Sequence, residues 1–379
     1  MRRGLLVVAV LVVVLIAGFV LATVRNNHQL GDRLATDLET LRARRIKLLR
    51  PDGAPPPRNT NGFACLAGVM KTAPTNVTAL NDPKLELTPV MRGEKPVSEL
   101  DAGVVATVES LRPWVEAMRT CSDASELQWV EAMEPWESGP TPWISVMRQS
   151  AIDARLLLAD RQPEHALAVC TEGLEYSLDL SRVGLLGAML STAGLRMLAP
   201  VCSEAWAASS KESHDSLGPR WVLLGTRLAS DEEMLEVERV TMELSLFRQF
   251  ATDEARAKYP ATRDAFQFTF VERLALARLW GRWDAAMRDL AVAKDAAARE
   301  KADLPLRENP WWLPRDALLG GSNEGYTKFL TRLESSRALL NVLSSLATGA
   351  KTPLPPGATE KDGVIELPMD DGTLVRLKR

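Results

Sequence analysis

Residues 4–24 read GLLVVAVLVVVLIAGFVLATV, a run of 21 residues without charge or proline that follows Met1-Arg2-Arg3. A helix of this run would be about 31 Å long at roughly 1.5 Å per residue, which matches the hydrocarbon core of a bilayer. A helix also satisfies its own backbone hydrogen bonds in lipid. The run therefore predicts a transmembrane anchor over residues 1–25. The alternative is a signal peptide cleaved after Ala22, although the run is longer than a usual signal-peptide core.

Positive charges flank this run on both sides and leave its orientation open. Two arginines precede it, and four follow it: Arg25, Arg33, Arg42 and Arg44. A short basic start is nevertheless typical of an export signal, and large domains cross the membrane regardless of their charge. We therefore expect a single-pass protein with a cytoplasmic N-terminus. In a bacterium, it would sit in the inner membrane with most of the chain in the periplasm.

Composition bounds the rest of the 379-residue chain. Its net charge of −3 provides no general basic field, so we expect no nucleic-acid partner. Alanine and leucine are abundant and tyrosine occurs only 3 times, which favours helix over strand. The predicted fold class is mainly α, with an N-terminal transmembrane helix, a helical bundle or irregular α-solenoid, and a short C-terminal β-hairpin.

Residues 26–50 are predicted to form a stalk helix that continues the anchor. Leu34, Leu41 and Leu48 recur every seven residues, which is the spacing of a coiled coil. A short coiled coil would allow copies of the chain to associate as a homo-oligomer. The basic residues at the far end support a further alternative, binding of anionic lipid, which requires the opposite topology.

The chain beyond the stalk divides into three parts. Residues 51–97 begin with a proline-rich linker, are expected to be loop-rich, and include the glycosylation sequon Asn76-Val77-Thr78. Residues 98–350 have helical periodicity and form the predicted extracytoplasmic domain. Its expected helices lie near 98–120, 143–160, 163–179, 182–208, 217–228, 230–257, 262–279, 283–300 and 322–348.

Local start signals support several of these helices. Ser230-Asp231-Glu232-Glu233 has the pattern of a capping box, and Pro163 occupies a first-turn position. The tail, residues 351–379, predicts a β-hairpin with the turn Asp370-Asp371-Gly372, because Asp-Gly tolerates the positive φ angles of a tight turn. An isolated hairpin is marginally stable, so this one should dock on the helical body or on a partner strand.

The four cysteines, Cys65, Cys121, Cys170 and Cys202, are candidates for disulfides in an exported protein. No CxxC motif occurs and there are only 3 histidines, so no zinc site or other metal cofactor is expected. Pairing of Cys170 with Cys202 is disfavoured if Ser181 marks the turn between two straight helices. The two cysteines would then lie about 16 Å and about 31 Å from the turn, unless Pro200 bends the second helix. The alternative is that the cysteines are small buried hydrophobes.

Two segments share a spacing of small and large residues: residues 159–174 (ADRQPEHALAVCTEGL) and 279–293 (LWGRWDAAMRDLAVA). Each resembles the turn and second helix of a tetratricopeptide repeat. In the second segment, Gly281 fits the turn and Trp283 the aromatic position, and the packing positions fall on Ala286, Leu290 and Ala293. The corresponding positions in the first segment are Ala166, Cys170 and Gly173, without the turn glycine. The resemblance covers about 70 residues and implies a scaffold that binds proteins on a concave face. The two segments are 120 residues apart, which is not a multiple of 34, so an irregular helical bundle or solenoid is the alternative to a true repeat array.

The sequence contains no recognisable catalytic motif. Walker A, GxGxxG, HExxH and GxSxG patterns are all missing. His28 falls in the stalk, His165 on a helix turn and His214 in a polar loop, so each is expected to be solvated. Glu232, Glu236, Arg239 and Glu243 share a helical face, which is expected to be ion-paired rather than metal-binding, because no Glu-x-x-His partner occurs.

Tryptophans near carboxylates offer the remaining candidate sites. Glu126, Glu131, Glu134 and Glu137 lie among Trp129, Trp136 and Trp143, as in a glycan-cleaving site, although a solvated acidic face is the simpler interpretation. Trp311 and Trp312 are the best candidates for an exposed aromatic patch. The proposed partner contacts are therefore Trp311, Trp312, Trp136 and Trp143.

These observations favour a membrane-anchored scaffold for protein–protein contacts over an enzyme. One alternative is a component of a pilus-like or secretion assembly. Met1-Arg2-Arg3-Gly4 before an apolar helix resembles the start of type IV prepilins and pseudopilins, which are cleaved after glycine. This chain departs from that pattern, because Leu5 replaces the usual phenylalanine and Ala9 the usual glutamate. The other alternative is a glycan-directed enzyme.

Overall fold

The computed structural model describes residues 2–130, 133, 141–250, 281, 283–307, 325–349 and 353–379. Side chains are described for most of these, with gaps at 2–7, 9, 23–24, 26–35, 243–250, 305–307 and 325. The chain is mainly helical, as predicted, and ends in a small antiparallel sheet. It divides into two compact units, residues 1–41 with 238–327 and residues 42–237 with 328–379.

The first unit begins with most of α1, which spans Arg2–Ala43 as one uninterrupted helix. It also holds the second part of α9 (Asp231–Phe250), helical residues 283–292, α10 (Ala296–Arg307) and the first residues of α11 (Gly325–Thr348). Arg239 of α9 bridges Asp37 of α1 and Asp284, at 2.7 and 3.2 Å. Arg239 is therefore ion-paired, as expected, but its side chain is only 11% exposed and its partners lie outside the predicted solvated face of α9.

A buried carboxylate caps the beginning of α11 in the first unit. The Asp303 side chain is 0% exposed and accepts hydrogen bonds from the backbone N–H groups of Tyr326 (3.0 Å) and Thr327 (3.1 Å). A carboxylate at a helix N-terminus satisfies free backbone donors and complements the helix dipole. Asp303 therefore ties α10 to α11 through backbone hydrogen bonds that the sequence spacing does not reveal.

The second unit is built on antiparallel helices that follow each other in the chain. They are α4 (Ala102–Thr120), α5 (Thr141–Ala159), α6 (Pro163–Leu180), α7 (Gly184–Ala208) and α8 (Lys211–Arg227). Helix α5 packs on α6 and α7, and α6 packs on α8 as well. The shorter α2 (Gly62–Met70) and α3 (Leu87–Met91) pack against α4 and α5, respectively.

Two local start signals are confirmed in this unit. Pro163 is the first residue of α6, where a missing N–H costs nothing. Ser230 and Glu233 form the reciprocal capping box at the start of α9, with the Ser230 N–H donating to Glu233 at 3.0 Å and the Glu233 N–H donating to Ser230 at 3.1 Å.

A mixed three-stranded sheet was not expected. Its strands are β1 (Arg45–Lys47), β2 (Asn59–Asn61) and β3 (Ala124–Gln128), with β3 in the centre, antiparallel to β1 and parallel to β2. The predicted stalk helix over residues 26–50 is therefore wrong at its end, because α1 stops at Ala43. Leu48 follows β1 and cannot extend the heptad of Leu34 and Leu41. The two outer strands have three residues each, too few for a period-two pattern to be visible.

Other boundaries also differ from expectation. Residues 51–97 contain α2 and α3 in addition to loops, and α8 begins at Lys211 rather than near 217. The helix expected over 283–300 is interrupted after 292, and α10 begins at Ala296. The helix predicted over 262–279 lies outside the described residues.

The C-terminal tail forms the predicted hairpin and adds a third strand. Strands β5 (Val364–Pro368) and β6 (Leu374–Lys378) pair antiparallel, with Gly372 in the turn at a φ of +78°, and β4 (Thr359–Lys361) pairs with β5. The sheet docks on the second unit, where the Lys378 N–H donates to Ser203 at 2.9 Å and Arg196 pairs with Asp370 and Asp371. The expected docking of the hairpin on the helical body is therefore confirmed.

Candidate functional site

The apolar stretch of α1 is exposed where its side chains are described. From Val8 to Leu21, its large hydrophobic side chains are between 37% and 70% exposed. Val10 to Ile16 are seven consecutive exposed residues, which at 3.6 residues per turn lie on every face of the helix. The apolar residues of this stretch are therefore not confined to one buried face of the helix.

Among the described residues, one helix, α7 (Gly184–Ala208), is long and apolar enough to span a membrane by length and composition, whereas Val10–Ala22 of α1 is a shorter apolar stretch. In α7, however, 67% of the apolar window is buried inside the protein. Arg182 and Arg196 also leave only 13 residues between charges, counted from 183 to 195. This burial is typical of a core helix.

One disulfide joins Cys65 of α2 to Cys121 at the end of α4, with a Cα–Cα distance of 5.4 Å. It lies beside the mixed sheet, because α2 begins directly after β2 and Cys121 shortly precedes β3. Cys170 and Cys202 are free thiols and both are 0% exposed. The four candidate cysteines thus divide into one bonded pair and two buried thiols.

The predicted separation of Cys170 from Cys202 is wrong. Burial, followed by the neighbouring Cys170 thiol, raises the pKa of Cys202 well above its ordinary value. The prediction placed the turn at Ser181, but Gly173 faces Leu198 and Gly194 faces Ser177, so the two helices are in register about a midpoint between residues 185 and 186. Measured from there, the cysteines lie at about 23 and 25 Å, and so at nearly equal heights. Gly184 permits this turn with a φ of +81°.

A buried cluster of two carboxylates and two arginines joins α6 to α8. Glu175 and Asp179 lie one turn apart on α6 and are 4% and 0% exposed. Arg227 holds both oxygens of Asp179, at 3.0 and 3.1 Å, and also contacts Glu175 at 3.0 Å. Arg220 holds both oxygens of Glu175, at 3.0 and 2.5 Å.

The electrostatics of this cluster identify it as a structural clamp. Burial raises the pKa of Asp179, and the opposing charge of Arg227 limits the increase. Burial would lower the pKa of Arg227, but Asp179 and Glu175 outweigh it and raise that pKa. Because all four carboxylate oxygens are already held by guanidinium groups, neither acid is available as a general base.

A second set of ion pairs ties the end of α1 into the same unit. Arg44, just after α1, pairs with Glu233 at 3.1 Å and also with Glu236. Glu233 in turn pairs at 2.8 Å with Arg182, which donates to the carbonyls of Thr226 and Arg227 at the end of α8. An arginine at a helix C-terminus satisfies free carbonyls and favours the helix dipole. The chain leaving α1 is therefore held by charge-assisted hydrogen bonds.

The predicted partner contacts have different outcomes. Trp143 is 1% exposed and its carbonyl accepts a hydrogen bond from Tyr176 at 3.2 Å, so its ring fills the core and is not available to a partner. The prediction for Trp143 is corrected, because its position on α5 faces inward. Trp136, Trp311 and Trp312 lie outside the described residues.

The residues of the glycan-site hypothesis do not form an open site where they are described. Trp129 is 5% exposed, and the Glu126 side chain is 14% exposed and pairs with Arg45 at 3.7 Å. Buried rings cannot stack on sugar faces. Glu131, Glu134 and Glu137 lie outside the described residues. Among the residues that are described, no three metal-ligating side chains converge.

The histidines that are described make structural contacts. His214 lies in the first turn of α8, not in the predicted polar loop, and stacks on Trp206 with ring centroids 4.2 Å apart. Its Nε2 is 2.7 Å from the Trp206 carbonyl oxygen. His165 is paired with Gln162 at 3.0 Å, and the side chain of His28 lies outside the described residues.

A shallow groove of about 650 Å³ runs along α11 in the second unit. One wall is a polar face of α11 that includes Arg337, Asn341 and Ser344, and the other wall is Pro353–Pro356. Arg337 is held at one end by Asp231 at 2.5 Å. The prolines limit backbone freedom on their side, so the groove is a preformed surface that mixes polar and apolar groups.

No protein-family model, curated protein or solved structure matches this chain.

Proposed function

We propose that this chain is a single-pass membrane protein whose helical body lies outside the cytoplasm and binds other proteins. The observation that carries the proposal is the exposure of α1 over residues 10–22, on every side of the helix. These 13 consecutive exposed residues of apolar helix are unfavourable in water, at roughly 25 cal/mol per Å² of apolar surface. Insertion into a bilayer removes this surface from water without a protein partner.

The disulfide Cys65–Cys121 supports the location of the body. Stable disulfides are typical of oxidising compartments and rare in the cytosol. The cysteines belong to the unit that contains residues 42–237, so this unit would face the oxidising side. In a bacterium that side is the periplasm, which agrees with the orientation expected from the basic N-terminus.

The protein-binding part of the proposal is supported by the architecture of the body. Helices α4, α5 and α6 each pack with the next helix of this series and with the second helix along, as in helical repeat scaffolds. The charged residues of the buried clamp hold helices together rather than face a substrate. The groove along α11 is the surface that we assign to a partner, which would be an extended segment of another extracytoplasmic protein.

The first experiment maps location and N-terminus together. The full chain is expressed with a C-terminal reporter enzyme that is active only outside the cytoplasm, and the N-terminus of the membrane fraction is sequenced. An active reporter on an intact, membrane-bound chain is the expected result. An inactive reporter on a membrane-bound chain would overturn the proposed location, and cleavage after Ala22 would overturn the anchor.

The partner proposal has its own test. A photo-crosslinking amino acid is placed at Asn341 in the groove and, as a control, at Glu164 on the exposed start of α6. We expect a discrete adduct with one extracytoplasmic protein from Asn341 and none from Glu164. Equal crosslinking from both positions, or no adduct from Asn341, would contradict a partner in this groove.

An assembly component related to pseudopilins is the second candidate. It is favoured by the continuity of α1, which passes from the apolar stretch to Ala43 without a break. The N-terminal sequencing above separates the two proposals, because a pseudopilin-like chain would be cleaved after Gly4.

A further inference from the structure

Cys170 and Cys202 place two thiols together inside the second unit. Cys170 lies on α6 and Cys202 on α7, both are 0% exposed, and the Cys170 thiol is, after burial, a cause of the raised pKa of Cys202. The other two cysteines already form a disulfide. The four cysteines of the chain therefore form two neighbouring pairs, Cys65 with Cys121 and Cys170 with Cys202. No CxxC motif brings either pair together in the sequence.

The register of the α6–α7 hairpin independently explains this proximity. Gly173 faces Leu198, because a Cβ atom at Gly173 would be 3.4 Å from the Leu198 side chain. Cys170 precedes Gly173 by three residues, and Cys202 follows Leu198 by four. Three or four residues make about one turn and return to the same helix face. Because the helices are antiparallel, Cys170 and Cys202 both lie one turn beyond the Gly173–Leu198 contact and therefore in the same layer.

The seam between these helices is narrow enough for a covalent bridge. The Ser177 hydroxyl donates to the Ser191 carbonyl at 3.0 Å, which requires the side chain of one helix to touch the backbone of the other. At Gly194, a Cβ atom would collide with Met147 and Ser177. A disulfide needs Cα atoms about 4.4–6.8 Å apart, and small residues at a helix interface permit such an approach.

We propose that Cys170 and Cys202 are an oxidation site, where the two thiols form a second disulfide that joins α6 covalently to α7. The oxidant is a protein disulfide of the extracytoplasmic thiol-oxidation machinery. One cysteine thiolate attacks that disulfide, forms a mixed disulfide and expels one carrier thiolate. The second cysteine then attacks the mixed disulfide and releases the other carrier sulfur. Two thiols of this chain are thereby oxidised, and one carrier disulfide is reduced to two thiols.

Burial determines when this reaction takes place. In the closed hairpin neither thiol reaches solvent, and the thiolate that reacts is disfavoured. The disulfide therefore forms during folding, before α6 and α7 close, or during local opening of the hairpin. Once formed, it is shielded from external reductants.

The test counts free thiols in the full-length chain. Membranes containing the chain are denatured without reductant in the presence of N-ethylmaleimide, and adducts are mapped by mass spectrometry. We expect no adduct in the wild type and one adduct in each of Cys170→Ser and Cys202→Ser, on the remaining partner. Adducts on both Cys170 and Cys202, in molecules whose Cys65–Cys121 bond is intact, would overturn the proposal and leave the pair as buried hydrophobes.

A second measurement separates this proposal from the proposed location, on which the oxidant depends. If all four cysteines carry adducts, the location fails, and the purified chain is then reduced and refolded in detergent with a mixture of reduced and oxidised glutathione. We expect Cys170–Cys202 and Cys65–Cys121 to form together. Formation of Cys65–Cys121 alone would overturn the second disulfide in any compartment.

Discussion

Arg227 of α8 grips Asp179 of α6 through two parallel hydrogen bonds of 3.0 and 3.1 Å, in a site where the aspartate is 0% exposed. The same guanidinium also donates to the carbonyl of Ser122, at 2.7 Å, which follows α4. Three helical elements thus meet at one arginine. A buried ion pair contributes little relative to an apolar pair, but the loss of one member leaves an uncompensated charge.

Arg227→Met is therefore expected to destabilise the chain by about 3–5 kcal/mol, because Asp179 would be left buried without its counter-charge. The double variant Asp179→Leu/Arg227→Met should recover most of this loss. Chemical denaturation in detergent measures both. Arg376→Met is the matched control. The Arg376 side chain is 63% exposed, so its ion pair with Glu366 should contribute no more than about 1 kcal/mol to the free energy of unfolding. Equal losses for Arg227→Met and Arg376→Met would contradict the buried clamp.

Gly194 and Gly225 should respond in opposite directions to the same substitution. A Cβ at Gly194 would overlap Met147 and Ser177, so Gly194→Ala is expected to cost about 1–3 kcal/mol through overpacking. Gly225 lies in α8 with nothing within 4 Å of its added Cβ, so Gly225→Ala should stabilise by up to about 1 kcal/mol. Thermal unfolding of the two variants checks the prediction. A loss of stability in Gly225→Ala would show that its surroundings are not open.

The apolar stretch of α1 should tolerate no charge at its centre. Leu15→Arg is expected to disfavour insertion by about 2.5–3.5 kcal/mol, so that the chain leaves the membrane fraction in an alkaline wash. Leu49→Arg is the control, since Leu49 is 60% exposed and lies beyond the helix. Retention of both variants in the membrane to the same extent would count against α1 as the anchor.

The docking of the C-terminal sheet should depend on acid pH through Asp371. Burial alone would raise the pKa of Asp371, but hydrogen bonds from the Thr373 hydroxyl and N–H, together with Arg196, lower it below the ordinary value of 3.8. A carboxyl whose pKa is lower in the folded state stabilises fully above its unfolded pKa and loses this effect as pH falls through the folded pKa.

The protection factors of the β5–β6 amides, which correct for the intrinsic pH dependence of exchange, should therefore fall in the wild type below about pH 3.8, the value that an unperturbed aspartate has. In Asp371→Asn, which cannot ionise, protection should already be lower at neutral pH, and the fall due to this carboxyl should disappear. Identical pH profiles for wild type and variant would show that Asp371 does not hold the sheet.

Local signals predicted a large part of the fold. Pro163 and the Ser230–Glu233 box mark the starts of α6 and α9, and Asp371-Gly372 marks the turn of the hairpin. These signals work because each depends on residues within a few positions of each other. The mixed sheet escaped prediction because β1 and β3 are about 80 residues apart and pair only after the chain has folded.

The candidate sites were less accessible to prediction than the helices. Trp143 and Trp129 resemble surface contact residues in composition, but both are buried. Glu175 and Asp179 have the spacing of an ordinary solvated helix face, although they face Arg220 and Arg227 in the interior. Their burial depends on which face of α6 packs on α8. Helical periodicity predicts that an apolar face is buried, but it does not predict the burial of a charged face.

By itself, the sequence determined the uncharged run of residues 4–24, the predominance of helix and the position of the C-terminal turn, because hydrophobicity, helix propensity and turn chemistry act over short distances along the chain. Only the tertiary structure decided which cysteines are neighbours and which charges are buried. Both depend on the register between helices. A register in which Gly173 faces Leu198, in place of one centred on Ser181, brings Cys170 and Cys202 from different heights to the same layer.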